Sequence, residues 1–213
     1  MPSTDPAGRR SYDASGRQAA ARRNRAAVLR ACGELLLAEG YQATTMRAVA
    51  ARAGVSPEMV YKTYGSKPGL MKALWDTTLA GDDDPVPMSE RPALQQVWAE
   101  KDARRKLRQY AAFVCGFHER TAPLQSLLGE AGPEVAQVLA TTERERLTGV
   151  TAFIAHLAQQ GMLRADAAPT QEADACWVLT GPHVYTQLTA GRQWDAAAYQ
   201  RWLSQVLADS LLP

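Results

Sequence analysis

Residues 44–67 read TTMRAVAARAGVSPEMVYKTYGSK, and this stretch decides how the chain folds. In its first half, apolar residues recur at the i, i+3, i+4 and i+7 positions, which predicts a short helix with one apolar face. These residues are Met46, Val49, Ala50 and Ala53. Thr44 or Thr45 can cap this helix by accepting a backbone N–H. Gly54 can end it, because glycine takes the left-handed conformation without a Cβ clash.

A second helix is predicted two residues further on. Ser56 can cap it, and Pro57 suits its first position, where a missing N–H costs nothing. Gly65 closes this helix, and Ser66 can cap a third one. Two short helices joined by a glycine-containing turn are typical of a helix-turn-helix, whose second helix enters the major groove of DNA. An ordinary helical hairpin is the alternative.

The second helix carries side chains suited to DNA. Val60 faces inward with part of Met59 or Tyr61. The side chains left with polar groups turned outward are Glu58, Lys62, Thr63 and Tyr64, and phosphate contacts are the larger class of DNA contact for such groups. Packing of the Tyr61 ring between helices is an alternative that is compatible with a hydroxyl facing DNA. Lys67 and the amide groups at the start of the third helix predict a second phosphate site. The predicted DNA-binding residues are Thr44, Thr45, Arg47, Ser56, Pro57, Glu58, Met59, Tyr61, Lys62, Tyr64 and Lys67.

Residues 25–75 resemble the N-terminal DNA-binding domain of the tetracycline-repressor (TetR) family. The resemblance is carried by AAVL (26–29), LLLAEGY (35–41), TTMRAVA (44–50), AGVS (53–56), VYKTYGSK (60–67) and LM (70–71). The chain departs from the family at Tyr64, where phenylalanine is usual, and at Gly65, which is often proline or another small residue. Pro57, Glu58 and Met59 lie in a variable part of the pattern, so the operator sequence cannot be carried over.

The resemblance implies an all-α protein. A three-helix helix-turn-helix domain would be followed by a helical domain for effector binding and dimerisation. The function implied is a ligand-responsive transcriptional regulator, with repression favoured over activation. It would bind a palindromic double-stranded DNA operator as a homodimer and be released by a small molecule.

Composition and charge fit this interpretation. Ala, Leu, Gln, Arg and Glu dominate the 213 residues, which favours helices. Residues 1–80 hold 12 Lys/Arg and 6 Asp/Glu, a charge of +6, whereas residues 81–213 hold 12 and 16, a charge of −4. A basic N-terminal third indicates contact with nucleic acid at one end of the protein.

The remaining bulk features predict a cytoplasmic protein with no membrane partner, no cofactor and no metal. Cys32, Cys115 and Cys176 are too widely spaced for a metal site and are expected to be buried thiols in a reducing compartment. No apolar run approaches a membrane span, and the N-terminus lacks the apolar core of a signal peptide.

Three segments follow from the breaks in periodicity. Residues 1–17 are predicted to be a disordered basic arm, whose Arg9, Arg10 and Arg17 either track the DNA backbone or belong to an inert tail. Residues 18–80 form the DNA-binding domain and residues 85–213 the second helical domain, with a break at Gly81–Pro85. The predicted helices beyond those of the motif span 18–39, 66–80, 91–99, 102–119, 123–128, 134–160, 170–191 and a last one ending near Leu211.

The last two predicted helices carry more apolar residues than one buried stripe needs, which indicates a partner surface. The resemblance implies that they pair across a two-fold axis as a four-helix bundle. The predicted interface residues are Val184, Leu188, Tyr199, Trp202 and Val206.

An effector pocket is predicted around Pro182. This proline follows Gly181 inside the predicted 170–191 helix, and it should kink that helix and leave the Val178 carbonyl without its donor. Aromatic and methionine side chains with a few polar tips are typical of a pocket for a small apolar or amphipathic effector. An ordinary packed core is the alternative. The candidate pocket residues are Tyr110, Phe113, Phe117, Met162, Trp177, Thr180 and His183.

A helical enzyme or metal-binding protein is the competing functional class. It would use His118, His156 or His183, but none of them shows metal-ligand spacing, and no nucleophile or phosphate-binding loop is apparent. A DNA-binding module without regulation is a third class, and the large second domain argues against it. The expectation is therefore a regulator and not an enzyme.

Overall fold

The computed structural model describes residues 14–213 except residues 83, 85 and 130, and within these it is all α-helical, as predicted. Ten α-helices follow one another in the described ranges. They are α1 (Ala14–Ala43), α2 (Met46–Ala53), α3 (Pro57–Tyr64), α4 (Lys67–Ala80), α5 (Pro92–Ala99), α6 (Ala103–Gly129), α7 (Pro133–Gln159), α8 (Pro169–Leu179), α9 (Pro182–Thr186) and α10 (Ala196–Leu211). A 3₁₀ turn at Met88–Glu90 precedes α5, and a π turn at Gln187–Gly191 follows α9.

The helix-turn-helix forms through the caps expected from its sequence. Thr45 is the residue that caps α2, since its side chain accepts the Ala48 N–H at 3.1 Å. Gly54 ends α2 in the left-handed conformation, with φ 69° and ψ 31°. Ser56 caps α3, and Ser66 caps α4 by accepting the Gly69 N–H at 3.2 Å.

Helix α1 is longer than predicted. Residues 14–17 of the expected disordered arm already belong to it, while Arg9 and Arg10 lie outside the described residues. The helical run continues to Ala43, interrupted at Gly40 by an extended residue with φ 77° and ψ 176°. Glycine tolerates this positive φ, and the break turns the chain toward α2.

Helix α6 passes through Pro123, so the predicted restart there was wrong. A proline within a helix removes one backbone hydrogen bond and does not by itself end the helix when packing compensates. Thr121 and Leu124 on either side are buried, and the Thr121 hydroxyl donates to the Phe117 carbonyl at 3.0 Å.

The predicted helix 170–191 is divided rather than kinked. Helix α8 ends at Leu179, Gly181 is extended with φ −77° and ψ 155°, and Pro182 opens α9. Proline is well tolerated at the first position of a helix, so the Gly181–Pro182 pair starts a new element.

Two apolar cores hold the helices together. The first joins α1–α4 to the corner where α6 meets α7, through Leu124, Leu128, Val135 and Val138. The second lies among α5, α6, α7, α8, α9 and α10, with Tyr199, Leu203 and Leu207 at its centre. The two cores therefore do not fully follow the predicted boundary at residues 81–85. The corner between α6 and α7 lies beyond that boundary in the sequence but packs into the N-terminal core. Within the described residues, none of the helices is long and apolar enough to cross a bilayer.

Candidate DNA-binding surface and effector cavity

Helix α3 presents a polar face to solvent. Val60 is fully buried against α1, α2 and α4, whereas Glu58 and Lys62 are exposed. Tyr61 is 49% exposed, so its ring is not packed between helices and its hydroxyl is accessible. The short helix therefore offers a tyrosine, a lysine and a carboxylate at its surface, together with exposed Arg47 on α2.

Two of the predicted DNA-binding residues face the interior. Thr44 is 1% exposed, and its hydroxyl donates to the Gly40 carbonyl at 2.8 Å, so it stabilises the break before α2. The Tyr64 side chain turns inward against the first core, and its buried hydroxyl has no hydrogen-bond partner. Burial raises the pKa of Tyr64 to about 12. Periodicity missed both because neither residue belongs to the regular apolar stripe.

Four other predicted DNA-binding residues either cap a helix or are partly buried. The side chains of Thr45 and Ser56 are exposed, but their oxygens already accept cap hydrogen bonds. Pro57 and Met59 are half-buried. These residues help to position α3, and the exposed side chains of that helix remain accessible to DNA.

Lys67 is folded back toward α1. Its ammonium donates to the Tyr41 carbonyl and lies 3.7 Å from the centre of the Tyr41 ring. Desolvation lowers the pKa of Lys67, an effect that Glu134 partly opposes. A phosphate at the start of α4 would therefore have to draw this ammonium away from Tyr41, while the backbone amides there need no rearrangement.

The first half of α1 is basic and exposed. Arg17, Arg22, Arg23 and Arg25 all face solvent. Arg22 forms an ion pair with Asp84 in the connection between α4 and α5. This pair gives the arginine a role within the fold in addition to the predicted proximity to phosphate.

A cavity of about 1040 Å³ lies between the two halves of the described structure. Helices α1 and α4 form one wall, and α5, α6 and α7 form the other. The wall on the second side is aromatic: the Tyr110 and Phe153 rings stack at 3.9 Å between centroids, and Phe113 is stacked beyond them at 6.4 Å from Tyr110. Trp98 and Phe117 extend this surface. The volume and lining suit a drug-sized molecule.

Four of the seven candidate pocket residues line this cavity, namely Tyr110, Phe113, Phe117 and Thr180. The other three do not line it. Met162 follows α7 and packs on the second core, Trp177 is covered by the Arg146 guanidinium at 4.9 Å from its ring, and His183 is exposed on α9. The α4 wall and Trp98, Phe153 and Arg146 also line the cavity and were not predicted from the sequence. The aromatic residues at Trp98 and Phe153 were the available signal.

The carbonyl and hydroxyl groups around the α8–α9 break have partners within the protein, whereas the buried Trp177 Nε1 has none. The Val178 carbonyl accepts the Gly181 N–H at 3.0 Å, so it does lack its helical donor but is not free for a ligand. The Trp177 carbonyl accepts from Arg146 at 2.8 Å. The Thr180 hydroxyl donates to the Cys176 carbonyl at 2.7 Å. The carbonyls of Trp177 and Val178 therefore already have donors from within the protein.

Ion pairs surround the cavity. Arg146 bonds to Glu143 at 2.7 Å, Lys72 lies between Asp76 at 2.6 Å and Glu145 at 3.1 Å, and Arg91 bonds to Asp82 at 2.7 Å. The Lys72 pair with Glu145 joins α4 to α7, and it therefore crosses between the two walls. Arg146 and Arg91 are thus each paired with one carboxylate, whereas Lys72 is shared by two.

The three histidines lie in unrelated surroundings. His118 is 1% exposed, and burial lowers its pKa from 6.5 to about 4. His156 lies 2.7 Å from the Lys106 ammonium, and its pKa is lowered first by burial and then by that charge. His183 faces solvent. Among the described residues, no group of three or more His, Cys, Asp or Glu side chains could hold a metal ion.

The three cysteines are free and buried. Burial raises the pKa of Cys32 to about 12 and that of Cys115 to about 11, which makes these thiols poor nucleophiles at neutral pH. Burial likewise raises the pKa of Cys176 to about 12. Their surroundings are those of packing residues.

The predicted dimer residues divide into two groups. Val184, Leu188, Trp202 and Val206 are partly buried within the protomer and keep some surface. Tyr199 is fully buried between the rings of His118, Tyr185 and Trp202, so its assignment to an interface was wrong. Val178 on α8 is 55% exposed, which is unusual for a large apolar side chain.

Comparison with known proteins identifies the N-terminal helices. Residues 28–74 match the family model described as bacterial regulatory proteins, tetR family, which covers α2, α3 and most of α1 and α4. No curated protein matches the sequence. The resemblance to the TetR family that the motif predicted is therefore confirmed for this domain.

The whole fold recurs in solved structures. A Rhodococcus sp. protein described as a TetR-family transcriptional regulator superposes with a TM-score of 0.68 at 15% identity, covering 89% of this chain and 98% of the other. The transcriptional regulator FadR of Bacillus subtilis, in complex with stearoyl-CoA, has a TM-score of 0.63 at 16% identity, covering 85% and 96%. A Saccharomonospora viridis protein described as a transcriptional regulator, in complex with choline, has a TM-score of 0.59 at 14% identity, covering 92% and 99%. At such identities the similarity concerns the fold.

Proposed function

Because the chain carries the N-terminal domain of the TetR family on the all-helical fold of that family's regulators, we propose that it is a ligand-responsive transcriptional repressor. Residues 18–80 bind a palindromic operator, and residues 85–213 bind a small molecule and form a homodimer. The observation that best supports this proposal is that residues of both segments, 18–80 and 85–213, line the cavity, among them residues of α4. A ligand there touches the helix that follows the DNA-binding motif.

Helix α4 can transmit a movement to α3 because the two are in close contact. A Cβ at Gly69 would come within 2.2 Å of the Tyr64 carbonyl oxygen, so the first turn of α4 lies directly on the last turn of α3. At the other end of α4, Arg120 of α6 donates to the Leu79 carbonyl at 3.1 Å, and Arg91 donates to the Ala80 carbonyl at 3.3 Å. The helix is thus held by the DNA-binding motif at its start and by the second domain at its end.

A ligand that prefers a wider cavity would displace α4 and with it α3. Ligand binding shifts the equilibrium only by its differential affinity for the two positions. In a dimer, the two α3 helices must match half-sites about one DNA turn apart, so a small displacement weakens binding. The coupling required is about 1–3 kcal/mol, as in other allosteric proteins.

Small molecules bound to proteins of the same fold support an effector of this kind. FadR of Bacillus subtilis was solved with stearoyl-CoA, and the Saccharomonospora viridis protein with choline. For this chain we propose a small apolar or amphipathic effector held against Tyr110, Phe113 and Phe117. The protein acts in the cytoplasm, where the operator is.

The DNA-binding proposal is tested by affinity against salt. Operator fragments are selected from genomic DNA with the purified protein, and binding is followed by fluorescence anisotropy. Lys62→Ala should lower affinity and reduce the salt dependence by about one phosphate contact, because it removes one exposed cation from α3. Lys101→Ala, which removes an exposed lysine beyond α5, is the matched control and should change neither. Equal behaviour of the two variants would refute docking through α3.

The dimer proposal is tested at α8. Val178→Glu places a charge on an exposed apolar position and should yield monomers in light scattering. Gln171→Glu, at an exposed polar position of the same helix, is the control. A Val178→Glu protein that remains dimeric would exclude α8 from the interface.

A further inference from the structure

The charges on the cavity wall favour one class of effector. Five carboxylates and four cations line the cavity. The carboxylates are Asp76, Asp82, Asp84, Glu143 and Glu145, and the cations are Arg25, Lys72, Arg91 and Arg146. Asp84 is paired with Arg22, which lies outside the lining, so the remaining four carboxylates and four cations balance overall.

The cations of the α4–α7 side are all engaged by carboxylates. Arg146 is 14% exposed and is held by Glu143 at 2.7 Å. Arg91 is 12% exposed and is held by both oxygens of Asp82, at 2.7 and 2.9 Å. An anionic headgroup that approached either guanidinium would compete with the carboxylate already paired to it. Arg25, on α1, is exposed to solvent and lies at the edge of the cavity.

Negative charge is in local excess at Lys72. This single ammonium is shared by Asp76 of α4, at 2.6 Å, and Glu145 of α7, at 3.1 Å, so two carboxylates face one cation on the cavity lining. Both carboxylates are about half exposed, at 50% and 55%, and can accept a second cation without further burial. Beyond them, the rings of Trp98, Tyr110 and Phe153 offer apolar surface and π faces, which also attract cations.

We propose that the effector is a cationic amphipathic molecule. Its ammonium group lies between Asp76 and Glu145 beside Lys72, and its apolar body lies on the aromatic wall. This inference rests on the proposed function, because it takes the cavity to be the effector site. It also places the ligand head across α4 and α7, where binding alters the contact that joins the two halves of the protein.

The test uses three probes with one alkyl chain and different heads: decyltrimethylammonium, decanoate and 1-decanol, each below its aggregation concentration. Binding to the full-length protein is measured by isothermal titration and by quenching of tryptophan fluorescence, since Trp75 and Trp98 line the cavity. We expect decyltrimethylammonium to bind about tenfold more tightly than decanoate, because the ammonium gains two carboxylate partners, whereas decanoate either competes with carboxylates already paired to arginine or pairs with solvent-exposed Arg25. It should also bind more tightly than decanol.

Glu145→Gln removes the excess charge while keeping the shape of the side chain, and it should bring the ammonium and carboxylate probes to similar affinity. Glu119→Gln, an exposed carboxylate of α6 outside the cavity, is the matched control and should keep the wild-type preference. Decanoate or decanol binding as tightly as the ammonium to the wild type would overturn the proposal, and so would a preference unchanged by Glu145→Gln.

Operator anisotropy in the same solutions separates this inference from the proposed function. Preferred binding of the ammonium with release of DNA supports both. Preferred binding with the operator still occupied supports the ligand class and refutes ligand-controlled repression. Release of DNA by decanoate alone refutes the ligand class and leaves the repressor proposal standing.

Discussion

Replacing His118 by glutamine should remove much of the acid sensitivity of this protein. His118 is 1% exposed, and its ring stacks on Tyr185 at 4.9 Å with Tyr199 at its edge. Its Nε2 lies 2.9 Å from the Thr180 carbonyl oxygen. A carbonyl only accepts, so Nε2 carries the proton of the neutral ring, and Nδ1 is buried without a partner. A second proton at Nδ1 would create a buried charge.

The pKa values set the size and the direction of the effect. Burial lowers the pKa of His118 from 6.5 to about 4. Above pH 6.5 the residue is neutral in both states and contributes no pH dependence. As the pH falls from 6.5 toward 4, the unfolded chain binds a proton that the folded protein does not, so the free energy of unfolding decreases. At about 1.4 kcal/mol for each factor of ten, this loss reaches about 3 kcal/mol by pH 4.

The measurement is urea unfolding, followed by circular dichroism at pH 7, 6, 5 and 4 and at constant protein concentration. His118→Gln keeps an N–H that can reach the Thr180 carbonyl but does not titrate in this range. The difference between wild type and variant isolates His118, because other titrating groups contribute to both curves. His183→Gln, at the exposed histidine, should follow the wild type. Parallel curves for wild type and His118→Gln would refute the reasoning.

Three further changes test packing and caps. Gly69→Ala should lower the free energy of unfolding, measured in urea, by about 1–3 kcal/mol and should weaken operator binding. The new Cβ would meet the Tyr64 carbonyl oxygen at 2.2 Å and force α3 and α4 apart. Unchanged operator affinity would show that DNA binding does not depend on this contact. Ser56→Ala should cost about 1 kcal/mol in the same assay through loss of the α3 cap, and Ser56→Asp should restore it. Leu203→Ala, in the second core and fully buried, should cost about 2–5 kcal/mol, whereas a cost below 1 kcal/mol would mean that the core there is loosely packed.

Capping and periodicity explain why the helix-turn-helix was predictable. Thr45, Ser56 and Ser66 act within three residues of their own positions, so their roles are visible in the sequence. The same local reasoning failed at Pro123, where packing of α6 carries the helix through the proline. It also failed at Pro182, where an extended Gly181 begins a new helix.

The sequence predicted site residues correctly only where the spacing of apolar residues within one helix decides which side chains are exposed. Lys62 is on the surface as expected, whereas the sequence leaves the exposure of Tyr61 open, and Lys67 turns back to Tyr41, a residue 26 positions earlier in the chain. Tyr199 was read as surplus apolar surface, and it is buried among rings contributed by α6 and α9. Such contacts join distant parts of the chain, and no periodicity within one helix reveals them.

By itself, the sequence determined the all-helical class, the positions of the motif helices and the basic character of the N-terminal third. These properties depend on interactions over a few residues: caps, turns, helix propensity and the spacing of apolar side chains. Tertiary structure alone decided that a cavity lies between α4 and the α5–α7 wall, and that Lys72 of α4 meets Glu145 of α7. A cavity is space left between helices after they pack. Its walls are therefore set by how the helices are arranged, which the order of residues within any one helix does not specify.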